Sequence, residues 1–323
     1  MYINIKQEKQ QTNNMENKHF DGLIGRSWSM LFVSVGYNVC IYDVVSEQVE
    51  EAKKFIKNEL ENMEKNKILK GKLSAEEQYN LISGNLSLSE CLQGAIYMQE
   101  CIPENLELKI KLYEEIDKVV GDKTIIASST STFVPSLFSE NLKNRKNIVV
   151  AHPVNPPYFV PLVEIVPAPW TEPSVTKKTK EIMTEIGQAP VTLNREIPGF
   201  ALNRIQYVIL NECWNLIKEG ILNVEDVDKV MSEGLGMRYA FLGPLETAHL
   251  NAEGMENYCA RYCNSMYKVC QTMLPVPKFE GEQVKQMAKE LCEKVPLDKL
   301  KERREWRDNC LTQLSSLKNK LPK

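Results

Sequence analysis

Histidine is scarce, with three imidazoles in 323 residues, so chemistry that needs one has few places to sit. No apolar run approaches the ~20 residues a membrane-spanning helix requires. The first residues are polar and rich in Gln and Asn, unlike a secretory leader. Charge of one sign is not in excess. The net charge of −3 gives no pull toward nucleic acid or a membrane surface. Paired cysteine spacing is missing as well: nine cysteines are an odd number without a disulfide pattern, which predicts reduced thiols and a cytoplasmic chain. Cys259 and Cys263 share a helical spacing, but no second pair completes a zinc site, so no metal is expected. What remains is an ordinary globular composition, 43% hydrophobic and 26% charged, in a chain long enough for two domains.

One of the three histidines stands in the most informative stretch, Ala151-His152-Pro153-Val154-Asn155-Pro156-Pro157. The preceding residues from Asn147 are apolar and β-branched, which reads as a buried strand. His152 falls where that strand runs out, and open α/β sheets bind ligands at the carboxyl ends of their strands. Two prolines then force a loop, and Leu162 to Val166 reads as the next strand, carrying Glu164 between apolar neighbours. A buried glutamate needs a charged or hydrogen-bonding partner. His152 with Glu164 behind it makes a general base of fixed tautomer and stabilised imidazolium. The plainer reading is a core histidine and an unrelated glutamate.

Strand and helix patterns alternate from about residue 22 to residue 197, which predicts a Rossmann-like, doubly wound sheet. From Pro198 the apolar spacing is helical throughout and no strand pattern returns. The expected organisation is therefore an atypical segment 1–21, for which disorder is one reading, a nucleotide-binding domain 22–197 and an all-helical domain 198–323. The Lys-, Arg- and Glu-rich final helix reads as a solvated face.

Gly22-Leu23-Ile24-Gly25 followed by a helix is the back half of a dinucleotide-binding turn, which offers backbone N–H groups and a positive helix end to a pyrophosphate. Asp43 lies eighteen residues beyond Gly25 at the end of the next strand. A carboxylate there accepts hydrogen bonds from a ribose and repels a 2′-phosphate, so the expected cofactor is NAD rather than NADP. The front half of the turn is missing: Phe20 stands where a glycine is expected, after Asn14-Met15-Glu16-Asn17-Lys18-His19, which cannot fill the middle of a parallel sheet without burying charge. Tyr2-Ile3-Asn4-Ile5 has strand character, but its separation from Gly22 argues against it as the first strand.

These residues resemble the 3-hydroxyacyl-CoA dehydrogenase superfamily, and within it the lambda-crystallin branch. The resemblance runs from Gly22 to Arg307 and is carried by Gly25-Arg26-Ser27-Trp28, Gln99 to Glu104, Ala151 to Pro157, Gly199 to Arg204 and Met231 to Tyr239. It implies NAD-dependent oxidation of L-gulonate at C3, with His152 as base oriented by Glu164. It also implies that Ser131 and Asn203 hydrogen-bond the reacting oxygen. Leu23, Ile24, Asp43, Glu104, Lys109 and Asn155 are the implied cofactor contacts, and a homodimer the implied assembly. Read alone, Lys109 is a solvated helix lysine. Seven lysines between Lys53 and Lys72 keep an acyl-CoA substrate open, as in a short-chain 3-hydroxyacyl-CoA dehydrogenase. Arg238, in the loop Met237 to Pro244, is suited to clamp a small carboxylate; a structural or interface salt bridge is the other reading. A crystallin-like structural protein that keeps the fold without turnover is the reading from a different class.

Overall fold

The structure, a computed structural model, describes residues 2–6 and 23–321. The chain divides into two compact units, one ending at Asn203 and the other beginning at Arg204. The first unit contains β1 (Tyr2–Lys6), α1 (Leu23–Val33), β2 (Asn38–Tyr42), α2 (Ser46–Lys65), α3 (Ala75–Tyr79) and β3 (Ile82–Asn85). It continues through α4 (Leu88–Leu92), β4 (Tyr97–Glu100), α5 (Leu106–Val119), β5 (Ile125–Ser128) and α6 (Ser136–Ser139). It closes with β6 (Ile148–Pro153), β7 (Leu162–Pro167), α7 (Pro173–Glu185) and β8 (Ala189–Thr192).

The eight strands form one sheet in the order β3-β2-β1-β4-β5-β6-β7-β8. Successive side chains of a strand point to opposite faces, and here both faces are covered. Tyr97, Ile125, Ala127, Val149 and Ala151 pack with Trp28 of α1, Ile56 of α2 and Ile182 of α7. The intervening Met98, Ile126, Ile148 and Val150 pack with Tyr113 of α5 and Phe138 of α6. Burial on two sides is why these strands read as continuous apolar runs rather than alternating ones. His152 continues the Ile148–Val150 side of β6.

Two features depart from the sequence reading. The first is β1. The slot between β2 and β4 is filled by Tyr2–Lys6, the segment whose separation from Gly22 argued against it, and it runs antiparallel to both neighbours. Backbone groups on the facing edges of β2 and β4 need partners, and closing a longer loop adds only about 0.6 kcal/mol per doubling of its length. Sequence separation was therefore a poor criterion. Phe20 and Gly22 lie outside the described residues. The second is β3 with α4, elements absent from the sequence reading. Ile82-Ser83-Gly84-Asn85 is a short polar edge strand parallel to β2, and such edges carry little apolar signal.

Among the described residues the second unit is wholly helical. It holds most of α8 (Leu202–Lys218), then α9 (Val224–Lys229), α10 (Gly236–Tyr239), α11 (Pro244–Leu250), α12 (Met255–Cys270), α13 (Glu282–Lys294) and α14 (Leu300–Lys320). A small core forms where Ile217 of α8 meets Val224 and Val227 of α9 and Met287 of α13. No helix among the described residues is long and apolar enough to cross a membrane. Cys101, Cys213, Cys259, Cys263, Cys270, Cys292 and Cys310 are free thiols, and the sulfurs of Cys40 and Cys91 lie 2.9 Å apart.

Candidate active site

β6 and β7 pair antiparallel with His152 directly opposite Glu164. Directly opposed residues present their side chains on the same face, and His152 Nδ1 lies 2.8 Å from Glu164 Oε2. Both side chains are buried, at 5% and 1% exposure. The other carboxylate oxygen, Glu164 Oε1, accepts from the backbone amides of Ala201 (2.8 Å) and Leu202 (2.9 Å) at the start of α8. Burial works against a charge on Glu164, but the hydrogen bond from His152 and the amides of Leu202 and Ala201 outweigh it and hold the carboxyl below its usual range. The positive end of α8 acts in the same direction. A carboxylate surrounded by donors takes the Nδ1–H of the imidazole and leaves Nε2 as the ring's base.

The approach to α8 is sharply turned. Gly199 and Phe200 both have positive φ, at 74° and 50°. That region suits glycine and is strained for a bulky residue. The turn brings the two amides to Glu164 and seals Phe200 into the core with its ring centroid 5.5 Å from that of His152. Nothing in the residue pattern marks Phe200 for this; an aromatic after Pro-Gly reads as loop.

Ser131 and Asn203 come together by backbone: the Asn203 Nδ2 donates to the Ser131 carbonyl at 2.8 Å. Asn203 is buried, whereas Ser131 is exposed. Asn155 is exposed in the loop after β6, where its peptide bond to Pro156 is cis.

Lys109 is not the solvated lysine its helix position suggests. It is 1% exposed, with Nζ 3.0 Å from both oxygens of the equally buried Glu100 and 3.6 Å from Glu104 Oε2. Glu100 also accepts from Ser128 Oγ at 2.5 Å and from the Ile102 amide at 2.6 Å. A buried pair of this kind persists because losing one partner strands a charge, at about 3–5 kcal/mol. Sequence reasoning assigned Glu100 no role. The signal was weak: Glu100 closes a strand of buried residues, but Gln99 and Cys101 beside it are not the aliphatic neighbours that singled out Glu164.

The remaining candidates lie along the first half of the sheet. Leu23 and Ile24 open α1, and Gly25 is buried within its first turn. Asp43 directly follows β2, and its Oδ1 accepts from the Val45 amide at 3.0 Å. Helix start, carboxylate after β2 and the Glu104–Lys109 pair after β4 fit a dinucleotide laid across the carboxyl edge of the sheet. Arg238 belongs to the helical unit. There Arg238, Thr247 and Asn251 line a cavity of about 350 Å³ with Met237, Phe241 and Leu250, and Thr247 Oγ1 is buried without a hydrogen-bond partner.

Comparison with known proteins gives the family. Residues 21–197 match the family 3-hydroxyacyl-CoA dehydrogenase, NAD binding domain, and residues 199–290 match its C-terminal domain. A lambda-crystallin homolog of Rattus norvegicus is 51% identical over 302 residues, covering 93% of this chain and 95% of the relative. An L-carnitine dehydrogenase of Pseudomonas sp is 30% identical over 292 residues, 90% of this chain and 89% of that one. Among solved structures, an NAD+ dependent dismutase, 5-formyl-3-hydroxy-2-methylpyridine 4-carboxylic acid 5-dehydrogenase, shares the fold. Its TM-score is 0.75 at 22% identity, covering 93% of this chain and 97% of that one. The chain belongs to the 3-hydroxyacyl-CoA dehydrogenase family, beside the lambda-crystallin homologs, and its cofactor is NAD.

Proposed function

We propose that this protein is a cytoplasmic, homodimeric NAD-dependent dehydrogenase that oxidises L-gulonate to 3-dehydro-L-gulonate. The observation that carries the reading is the buried His152–Glu164 pair, completed by the two amides that open α8. In this reading His152 Nε2 takes the proton of the substrate hydroxyl as its carbon is oxidised, and Glu164 stabilises the imidazolium that forms. Ser131 and Asn203 hold the reacting oxygen. The bound nicotinamide supplies the hydride acceptor. Leu23, Ile24, Gly25, Asp43, Glu104, Lys109 and Asn155 are the residues proposed to hold the cofactor, with Gly22 of the same turn.

A small acid rather than an acyl-CoA is the reading that Arg238 supports, and two of the seven lysines between Lys53 and Lys72 are engaged within the protein. Lys53 is paired with Glu50 at 3.0 Å. Lys70 is held over the Tyr158 ring, where burial pushes its pKa down to about 8. Arg238, beside the unpartnered Thr247 hydroxyl, offers a carboxylate clamp and a further donor. The dimer reading is supported by large apolar side chains left exposed on the helical unit, among them Leu245 (72%) and Tyr267 (66%).

The test is an NADH titration of the full-length chain by fluorescence, followed by NAD+ reduction with L-gulonate and, separately, NADH oxidation with acetoacetyl-CoA. Saturable binding and turnover of gulonate alone are expected. Turnover of acetoacetyl-CoA alone would reject the gulonate reading. A folded protein that binds no NADH would reject the enzyme reading in favour of a structural role. Arg238→Met is expected to raise KM for gulonate about tenfold or more, as loss of a charge-assisted bond should, with NADH affinity unchanged. Equal losses in both would remove Arg238 from the substrate site.

A further inference from the structure

The carboxylate of Glu104 is the organising point of a loop it does not belong to. Its Oε1 accepts from Thr130 Oγ1 at 2.6 Å, from Thr132 Oγ1 at 2.9 Å, and from the amides of Ser131 and Thr132 at 3.0 Å each. Thr130 is buried, and its Oγ1 in turn receives the amides of Phe133 at 3.1 Å and Thr132 at 3.4 Å. The segment Thr130–Phe133 is thus wound around one oxygen, much as backbone nests wrap anions. On the other side Glu104 Oε2 faces Lys109, which Glu100 fixes from beneath. The loop's own contribution onward is the Ser131 carbonyl, which receives the Asn203 amide. Asn203 directly follows Leu202, whose backbone amide bonds Glu164.

We infer that Glu104 is a positioning residue for the substrate end of the site: it holds Thr130–Thr132 in the conformation that fixes both Ser131 and Asn203. The inference rests on the dehydrogenase reading for its kinetic consequence, but not for its structural one. Each oxygen of Glu104 has a distinct set of partners. A role as cofactor contact alone would leave the four donors on Oε1 without purpose. A displaced loop moves the groups that hold the reacting oxygen, and an ångström-scale misplacement of that kind costs up to about a hundredfold in rate.

The test uses Thr130→Val, which preserves side-chain shape and removes only the hydroxyl. Kinetics, NADH titration and amide exchange are measured on the full-length chain. The expected result is a fall in kcat with gulonate of about ten- to a hundredfold, an unchanged NADH dissociation constant, and recovery in Thr130→Ser. Unchanged kcat, or an NADH affinity lost in parallel with kcat/KM, would overturn the inference. Should the parent chain bind NADH yet fail to oxidise gulonate, the gulonate reading alone is rejected. Exchange at the Ser131 and Thr132 amides then decides the present inference. Both are expected to exchange faster in Glu104→Ala, and slow exchange there would overturn it.

Discussion

Replacing His152 with Gln is expected to lower kcat for gulonate oxidation by about 10²–10⁴ while NADH still binds. Glutamine matches the imidazole in reach but has no lone pair of comparable basicity. Glu164→Gln should be nearly as damaging, for a reason written in its partners. The amides of Ala201 and Leu202 are donors on Oε1, and the imidazole Nδ1–H is the donor on Oε2. A glutamine has one acceptor oxygen to offer them. If that oxygen stays with the two amides, the NH2 group faces Nδ1, makes it the acceptor and moves the ring proton to Nε2, so the base is lost. If the side chain is flipped, the NH2 group abuts two backbone donors. A stability loss of about 1–3 kcal/mol follows from the unsatisfied buried groups. Steady-state kinetics with thermal melts of both variants checks this. Unchanged turnover in His152→Gln would remove the histidine from the chemistry. Full activity in Glu164→Gln with an unchanged Tm would mean that the carboxylate orients nothing.

The pairing of these two residues was legible because strand physics is local. Two apolar, β-branched runs separated by a proline-rich loop define β6 and β7, and a glutamate inside such a run must find a partner. The doubly covered sheet was legible for the same reason, since its strands and helices alternate with clear periodicity. Lys109 was not. Its spacing on α5 is that of any solvated lysine, and its burial depends on Glu100, which reaches it only once β4 and α5 are packed. Phe200 was equally silent, because its position over His152 comes from two successive left-handed residues that no apolar periodicity encodes. The Glu104 loop contacts arise between segments about 26 residues apart and belong to tertiary structure alone. Arg238 stands differently again: residue chemistry suggested a clamp, and a partly apolar cavity with an unpartnered hydroxyl now surrounds it. Local patterns thus found the histidine and the carboxylate it pairs with, and missed the parts whose burial or geometry is imposed from a distance.

The central strand is where local reasoning failed outright, and it carries the second large expectation. Tyr2–Lys6 is hydrogen-bonded on both sides, with Ile3 opposite Ile41 on β2 and Gln99 on β4. A proline within such a strand removes a ladder donor and is tolerated essentially only at edges. Ile3→Pro should therefore destabilise the chain by about 1–3 kcal/mol for each buried acceptor left unpaired, a fall in Tm of roughly 2–4 °C per kcal/mol for a unit of this size. Ile3→Val, which keeps the donor and the β-branched shape, should melt close to the parent. Removing residues 1–6 should be more severe, because it unpairs both β2 and β4 in the middle of the sheet. β2 delivers Asp43, and β4 delivers Glu100 and the turn to Glu104. An opened centre should then weaken NADH binding together with folding. Equal melting temperatures for the parent, Ile3→Pro and the shortened chain would show that the antiparallel pairing contributes nothing to the fold. NADH binding that survives truncation while Tm falls would separate the two roles: the strand would stabilise the sheet, and the cofactor edge would be held by α1, β4 and β5 without it.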